Sequence, residues 1–473
     1  MSLKEFIKSL SIYGILPVFT KFASFLLVPI YVRVFSAREF GIVELIVSSA
    51  SFVIFLINLE FYGAVGRYFF ECESLTEKRK LISTGLLMTL LMAITVLCVG
   101  MLLQKEISLV VFSKIMYLPE IRLGLVWAVF SAISTYLSVL PRYLKKAKVF
   151  VLYNAVSFTV KLLSTIFFVV VLKLGVAGAI WGNLAGAVTA TILYSTASIS
   201  YLRPMFSWAY LKSISAFSLP LVPGLLLTTL YGPTMRTTLA RVYSLEHLGL
   251  FSFATKIVTV MALFETSMRM SWKPMLYENI GKKYFGDDYL RISTFMGKVL
   301  LAMGILIAAF SPELIHIIGT AEYFDASKLV GILLIGNIFK NLNMLRGFGF
   351  EVAKKTYLLS IVRIVTFIVG LTFLRYISPL TGIVGIGIAF ALPAVINYII
   401  CFRYTQKVIN REDRYTSELW LWIILLATSA LLSCGAAIQY RVFSLLLMML
   451  VLKPWKDAVS IQGKLRDMLS SHD

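Results

Sequence analysis

The sequence predicts an all-α polytopic membrane protein of about fourteen transmembrane helices, built as two parallel six-helix lobes followed by a C-terminal pair. Three observations carry that prediction. Of the 473 residues 59% are apolar and only 15% charged, with a mean hydropathy of +0.85, a balance that excludes an ordinary soluble protein. The apolar residues fall in runs of membrane length joined by short polar links. One link occurs twice: Arg33-Val34-Phe35-Ser36, followed by Gly41, returns as Arg241-Val242-Tyr243-Ser244, followed by Gly249, at a constant offset of 208 residues. An offset of that size marks an internal repeat of close to half the chain.

In chain order the spans read 10–32, 42–62, 81–103, 121–140, 150–172, 176–200, 214–233, 249–268, 293–311, 328–345, 357–374, 382–402, 418–438 and 442–453, the last being the shortest. The first is long enough to cross and no small-x-small cleavage site follows it, so it reads as a retained helix. Pro17 and Pro29 interrupt it, and span 7 opens with Leu219-Pro220 and Pro223-Gly224. Each proline frees a carbonyl and permits a bend, which serves either gating or packing. Span 6 holds Gly178, Gly182 and Gly186, two consecutive GxxxG steps that leave a flat face for a neighbouring helix. Spans 13 and 14 fall outside the repeat. The domain reading is therefore 1–210 for the first lobe, 211–410 for the second, and 411–473 for the appended pair with a cytoplasmic tail.

A net charge of +21 raises the question of nucleic acid, but the basic residues are scattered over many short loops. Clusters such as Lys78-Arg79-Lys80, Lys145-Lys146-Lys148, Lys282-Lys283 and Lys354-Lys355 alternate with loops of little charge, such as 173–176 and 439–441. The positive-inside rule then places both termini in the cytoplasm, and no nucleic-acid partner is expected. Six spans separate the two links, so both lie on the outer side and the repeat is parallel. Its copies would be related by an axis along the membrane normal, as in transporters made of two bundles.

The spans are short of anions and rich in cations. Every aspartate (Asp287, Asp288, Asp325, Asp413, Asp457, Asp467 and Asp473) lies in a loop or the tail, and only Glu44, Glu60 and Glu265 fall in apolar runs. Lys21 and Lys161 sit near the middle of spans 1 and 5, where a lipid-facing charge costs at least about 2.5 kcal/mol. Lys256, Lys340 and Arg363 lie nearer the ends of spans 8, 10 and 11. Spacing gives three of these cations polar neighbours on their own helix face: Asn154, Ser157, Lys161 and Ser164; Ser252, Lys256 and Thr259; Asn337, Lys340 and Asn341. Such stripes are expected to face a polar cavity, although lysines paired with carboxylates or neutral and bound to carbonyls are alternatives. A cavity with surplus positive charge selects an anion, and several lysines with an arginine suit phosphate oxygens. The substrate-binding set is thus Lys21, Lys161, Lys256, Lys340, Arg363 and Asn154. Arg33 and Arg241, in the links, are placed at an outer gate. Glu44 either couples transport to a proton or sodium ion or neutralises Arg33 or Arg38.

Four dispersed cysteines and three histidines offer neither a metal-ligand spacing nor a disulfide framework, so no metal or cofactor is expected. No Ser-His-Asp set and no Walker-type phosphate loop occurs, which argues against an enzyme and against direct ATP drive.

The segment Tyr13-Gly14 to Pro17, the link Glu39-Phe40-Gly41, Leu219-Pro220 and the run from Gly249 to Lys256 together resemble the Wzx-type polysaccharide flippases of the multidrug/oligosaccharidyl-lipid/polysaccharide (MOP) exporter superfamily. The likeness extends over essentially the whole chain, with His247 standing in the second link where the first has Glu39. It implies two MATE-like six-helix lobes around a cationic cavity in a bacterial cytoplasmic membrane. The implied substrate is an undecaprenyl-diphosphate-linked oligosaccharide such as an O-antigen unit, moved to the outer leaflet, with membrane lipids and a glycan polymerase with its chain-length machinery as partners. Two other functions are weighed: a multidrug or small-cation antiporter on the same fold, which the lack of span aspartate opposes, and a non-transporting scaffold for glycan-assembly enzymes.

Overall fold

The computed structural model describes residues 26–144, 146–261, 265, 272, 285–353 and 355–409. Lys21, Pro17, spans 13 and 14 and the C-terminal tail lie outside the described residues. The regular secondary structure among the described residues is all helical, with no strand. Nine helices among them are long and apolar enough to cross a membrane, ten if the bent pair Ser293–Ala309 and Ser311–Ile318 is one span. These correspond to spans 2 to 7 and 9 to 12. The chain divides into two compact units, Met1–Ser252 and Phe253–Asp473.

In the first unit α1 (Val28–Val34) precedes the first link, and α2 (Ala37–Asn58) follows it. Its start is fixed by Ser36, whose hydroxyl accepts from Glu39 N at 3.2 Å while the Glu39 carboxylate accepts from Ser36 N at 3.0 Å. That reciprocal capping box satisfies two of the otherwise orphaned donors at a helix start. At its far end α2 stops where Leu59 and Glu60 both take left-handed backbone, and α3 (Phe61–Phe69) sets off in a new direction. Two consecutive non-glycine residues in that region are strained. The next helices are α4 (Leu75–Leu102), α5 (Gln104–Phe112), α6 (Leu118–Leu137), α7 (Val139–Tyr143), α8 (Ala147–Ile166) and α9 (Gly175–Ser198). Then come α10 (Trp208–Ser218), α11 (Val222–Val242) and α12 (Leu245–Val258), the last running on into the second unit.

Lipid is as apolar as leucine, so helices in a membrane associate through close packing and interhelical hydrogen bonds. The glycine steps of α9 supply the packing. A Cβ on Gly178 would lie 3.0 Å from the Phe168 carbonyl carbon, one on Gly182 2.8 Å from Thr165 Cα, and one on Gly186 2.7 Å from Lys161 Cβ. The two helices therefore touch backbone to backbone, as the GxxxG spacing predicts. At the end remote from the link, Phe61, Phe69, Leu81, Tyr136, Leu140, Tyr194 and Ile214 form a buried cluster contributed by α3, α4, α6, α7, α9 and α10. Its phenols are held by interhelical bonds, Tyr136 Oη donating to Ile82 O at 2.8 Å and Tyr143 Oη to Tyr62 O at 3.2 Å. Span 7 is broken by a 3₁₀ turn at Leu219–Leu221, where Pro220 and Pro223 stand, but continues through Pro233 as far as Val242.

The second unit contains α13 (Phe285–Ala309), α14 (Ser311–Ile318), α15 (Ser327–Arg346), α16 (Gly349–Val352), α17 (Thr356–Thr372) and α18 (Gly382–Ile409). The α13–α14 junction bends by 57°, with Pro312 opening α14. Gly336 of α15 packs against Ala391 of α18, a Cβ there lying 2.8 Å from Ala391 Cα. Arg346 ends α15 fully buried, donating to Thr294 Oγ1 at 2.9 Å with its guanidinium 5.3 Å from the Phe402 ring centre.

The repeat reaches well beyond the links. In the first unit α8 widens into a π turn, Phe167–Val171, before Gly175 opens α9 with φ +58°. In the second α17 ends in a π turn, Phe373–Ile377, before Gly382 opens α18 with φ +62°. Only glycine adopts that backbone without strain, so both copies need one there.

Candidate functional site

The two links meet. Gly41, the fifth residue of α2, and Gly249, the fifth residue of α12, face each other inside the first unit. A Cβ on Gly41 would collide with the Leu245 carbonyl oxygen and come within 3.0 Å of Gly249 N. One on Gly249 would collide with the Ala37 carbonyl oxygen and lie 2.6 Å from its carbon. Ala37 stands four residues before Gly41, and Leu245 four before Gly249. Each glycine therefore touches the other copy's residue at the same register, the reciprocal pattern of a local two-fold axis. Both links lie at the same end of their helices, as a parallel repeat requires.

Both helix starts at this crossing are capped alike. Ser244 Oγ accepts from His247 N at 3.2 Å and lies 2.8 Å from His247 Nδ1. His247 thus occupies the position of Glu39 and shares its contact with the serine hydroxyl, while the Glu39 carboxylate in addition accepts from the serine backbone N–H. Arg241 reaches across from α11 to the C-terminus of α5, its Nη2 donating to the carbonyls of Leu109, at 3.4 Å, and Val110. Leu109 O also accepts from the capping Ser113 N at 3.0 Å, and a cation at this helix end suits the helix dipole. Arg33, in the last turn of α1, is exposed.

The expected ligand residues are distributed over both units. On α8 the Asn154 amide donates to Phe150 O at 2.8 Å and to Tyr194 Oη of α9 at 2.6 Å. Ser157 Oγ donates back to Tyr153 O at 2.7 Å. The Cβ of Lys161 packs on Gly186, so its stem leaves from the α8–α9 seam and its side chain is half-buried. On α12 Lys256 is half-buried, beside a fully buried Ser252 whose hydroxyl has no hydrogen-bond partner among the described residues. On α15 Lys340 is exposed, next to Asn341, which donates to Asn337 Oδ1 at 3.0 Å. Arg363 on α17 is exposed. Lys21 lies outside the described residues.

Glu44 is 7% exposed on α2, within electrostatic reach of the Tyr31 hydroxyl. The rest of its stripe turns inward on its own helix: Ser48, Ser51 and Asn58 donate to the carbonyls of Leu45, Val47 and Ile54. Side chains of these types satisfy themselves in that way in apolar surroundings. Among the described residues no group of His, Cys, Asp or Glu is placed to hold a metal ion.

Sequence reasoning missed Arg236 and the Asn343–Asn397 pair. Arg236 lies on α11 inside the span Trp208–Val242, its Nε buried without a hydrogen-bond partner among the described residues. Span 7 was expected to end at Pro233, and the signal that it does not is the apolar run resuming after the proline, which membrane helices tolerate. Asn343 Nδ2 of α15 donates to Asn397 Oδ1 of α18 at 2.8 Å, a polar tie between two spans.

No curated protein matches the chain by sequence. Several solved structures share its fold. Lipid II flippase MurJ, in an inward closed conformation, is similar with a TM-score of 0.69 and 13% identity over 96% of this chain and 99% of MurJ. A multidrug resistance MATE family transporter of the MOP superfamily, inward-facing, gives 0.66 and 14% identity over 82% of this chain and 94% of the transporter. An outward-facing transporter of that family gives 0.54 and 14%, over 85% and 96%. The family model described as polysaccharide biosynthesis protein matches residues 6–279, more than half of the chain and all of the first unit but its first five residues. The chain therefore belongs to the polysaccharide biosynthesis protein family, on the all-helical membrane fold that MurJ and the MATE transporters share.

Proposed function

We propose that the protein is a flippase that carries an anionic, undecaprenyl-diphosphate-linked oligosaccharide from the cytoplasmic to the outer leaflet by alternating access through a cationic cavity. The observation that carries this reading is the sign of the charge inside the spans. Lys161, Lys256, Lys340 and Arg363 lie on membrane helices, and Lys21 falls in the first predicted span, while no aspartate falls in any predicted span. Arg236 adds a further cation on α11. Cations retained in membrane helices against their cost mark a substrate path, and this family and fold make a lipid-linked glycan the fitting anion. The diphosphate contacts the cations, the sugar occupies the wet cavity, and the polyprenyl tail stays in lipid.

Drive need not come from a coupling carboxylate. Moving two negative charges outward across an inside-negative membrane gains roughly 4 to 5 kcal/mol per 100 mV. Glu44 remains a second route for coupling. The cationic interior disfavours a multidrug antiporter, whose cationic substrates need an anionic pocket. The test is a flipping assay in vesicles with defined lipid-linked sugars. Lys161→Ala and Lys256→Ala should reduce flipping at least about tenfold, a loss near 1.4 kcal/mol of transition-state or binding free energy, with the protein still inserted. Unchanged flipping would remove these lysines from the path, and efflux of cationic drugs without glycan flipping would replace the reading with the antiporter.

A further inference from the structure

At the end of the first unit remote from the link, one of the few span glutamates, Glu60, lies in a setting unlike that of the span cations. Leu59 and Glu60 both take left-handed backbone, and this strained pair breaks span 2 and lays the Glu60 side chain along the first turn of α3. A Cβ on Gly63 would collide with the Glu60 carboxylate, and one on Gly66 with the Tyr143 hydroxyl, so the two glycines notch α3 to admit both groups. Tyr143, at the end of α7, donates from that hydroxyl to Tyr62 O at 3.2 Å. The Tyr62 hydroxyl is within hydrogen-bonding reach of the Glu60 carboxylate, and Arg142 is within electrostatic reach of both phenols. Arg142 is exposed, its guanidinium carbon 5.2 Å from the centre of the Phe150 ring on α8. The Tyr143 ring is flanked by Phe69 and Phe70 at 5.5 and 5.7 Å, and Phe70 is 67% exposed.

A carboxylate and a guanidinium about the same two phenols leave this place close to neutral. An anion here would meet Glu60 as well as Arg142 and gain little. An uncharged, polyhydroxylated ligand gains more: the carboxylate accepts, the guanidinium donates through a fixed fork, and ring faces cover the apolar C–H face of a sugar. A glutamate kept in an apolar run against its cost, at a break built from strained backbone, marks a functional place. The second unit does not repeat it. Span 10, the copy of span 4, also ends near an arginine beside a phenylalanine ring, but that residue, Arg346, is fully buried and bonded to Thr294.

We propose that Glu60 and Arg142, with Tyr62, Tyr143 and Phe70, form a carbohydrate-binding site at this end of the first unit, separate from the cations that contact the diphosphate. The loop charges assign this end to the cytoplasmic side. That the sugar arrives on a lipid carrier rests on the flippase reading, while sugar binding itself is measured without transport.

The test uses the full chain in detergent and two probes. One is the oligosaccharide released by mild acid from the lipid carrier of the host cell, its binding read by saturation-transfer NMR. The other is undecaprenyl diphosphate without sugar, read by native mass spectrometry. Glu60→Gln and Arg142→Gln should each weaken oligosaccharide binding at least about tenfold, as expected for loss of a charge-assisted hydrogen bond. Phe70→Ala, at an exposed ring, should weaken it about threefold or more and keeps the test decisive if a polar variant fails to fold. Undecaprenyl diphosphate should bind all three as it binds the parent. Folded variants that bind the oligosaccharide like the parent would overturn the site, and so would equal losses for both probes, which would make it a phosphate site. A parent that flips lipid-linked sugar in vesicles but binds no released oligosaccharide would overturn the site and leave the flippase reading standing. A parent that binds the oligosaccharide through these residues but flips no lipid-linked sugar would uphold the site and remove the flippase reading.

Discussion

The first and second links differ at the positions where a functional signature would be sought and agree where the backbone makes demands. Glu39 and His247 differ in charge, yet both lie three residues after the capping serine and both bond back to it. Gly41 and Gly249 are identical because each carries the other copy's carbonyl against its Cα. Arg33 and Arg241 are identical in sequence and both exposed, each in the last turn of its helix, and Arg241 reaches the end of α5. The lesson is that the acid of the Glu39-Phe40-Gly41 motif begins a helix, and a residue of another charge can do so in its place. Shared spacing here records helix geometry, while shared identity records close approach.

Four measurements would break or sharpen that comparison. The largest effect is expected at the glycines: Gly41→Val and Gly249→Val should each lower transport by more than about tenfold, since a branched side chain has no space and off-rotamer packing costs roughly 1 to 3 kcal/mol or more. Reciprocity demands similar losses, and a strong effect at one glycine with none at the other would dissolve the two-fold reading. Next, Arg241→Ala should lower the thermal stability of the purified protein and slow transport several-fold, because a charge-assisted bond contributes about 1.5 to 3 kcal/mol. Third, Ser36→Ala and Ser244→Ala should each destabilise by about 1 kcal/mol, read as a fall in melting temperature. The smallest change is expected for Glu39→His, which converts the first cap into the second and should keep transport within about threefold, under 1 kcal/mol. A complete loss would make Glu39 a candidate for ion coupling.

Much of this was legible beforehand because membrane helices obey one strong rule: backbone polar groups must be satisfied within the segment, so spans appear as long apolar runs. The spans of α8 and α9 follow from their runs to within a few residues, whereas α2 starts at Ala37, ahead of its predicted span 42–62; the flat face of Gly178, Gly182 and Gly186 was legible, and its partner α8 was not. The capping box at Ser36 is encoded as Ser-x-x-Glu, which the span reading passed over, and only the structure shows histidine bonding to the capping serine in the second copy. Less was legible at the ligand stripes. Helical spacing put Asn154, Ser157 and Lys161 on one face, but spacing does not say what a face meets. The hydroxyl of Ser157 turns back to Tyr153 and the amide of Asn154 is taken up by Tyr194. Arg236 was hidden by a proline that ends helices in water and only interrupts one in lipid.

The chain by itself determined the number and order of the described spans, the internal repeat and the excess of cations over aspartates in the apolar runs, because these depend on local polarity and periodicity. Which residues of the repeat touch was decided by tertiary structure alone. Contact between two positions so far apart in sequence depends on where two helix axes cross, and that crossing point is set by the packing of all the helices around it. The doubled glycine therefore announced a repeat in the sequence, and became a helix crossing only when α2 and α12 were brought together in space.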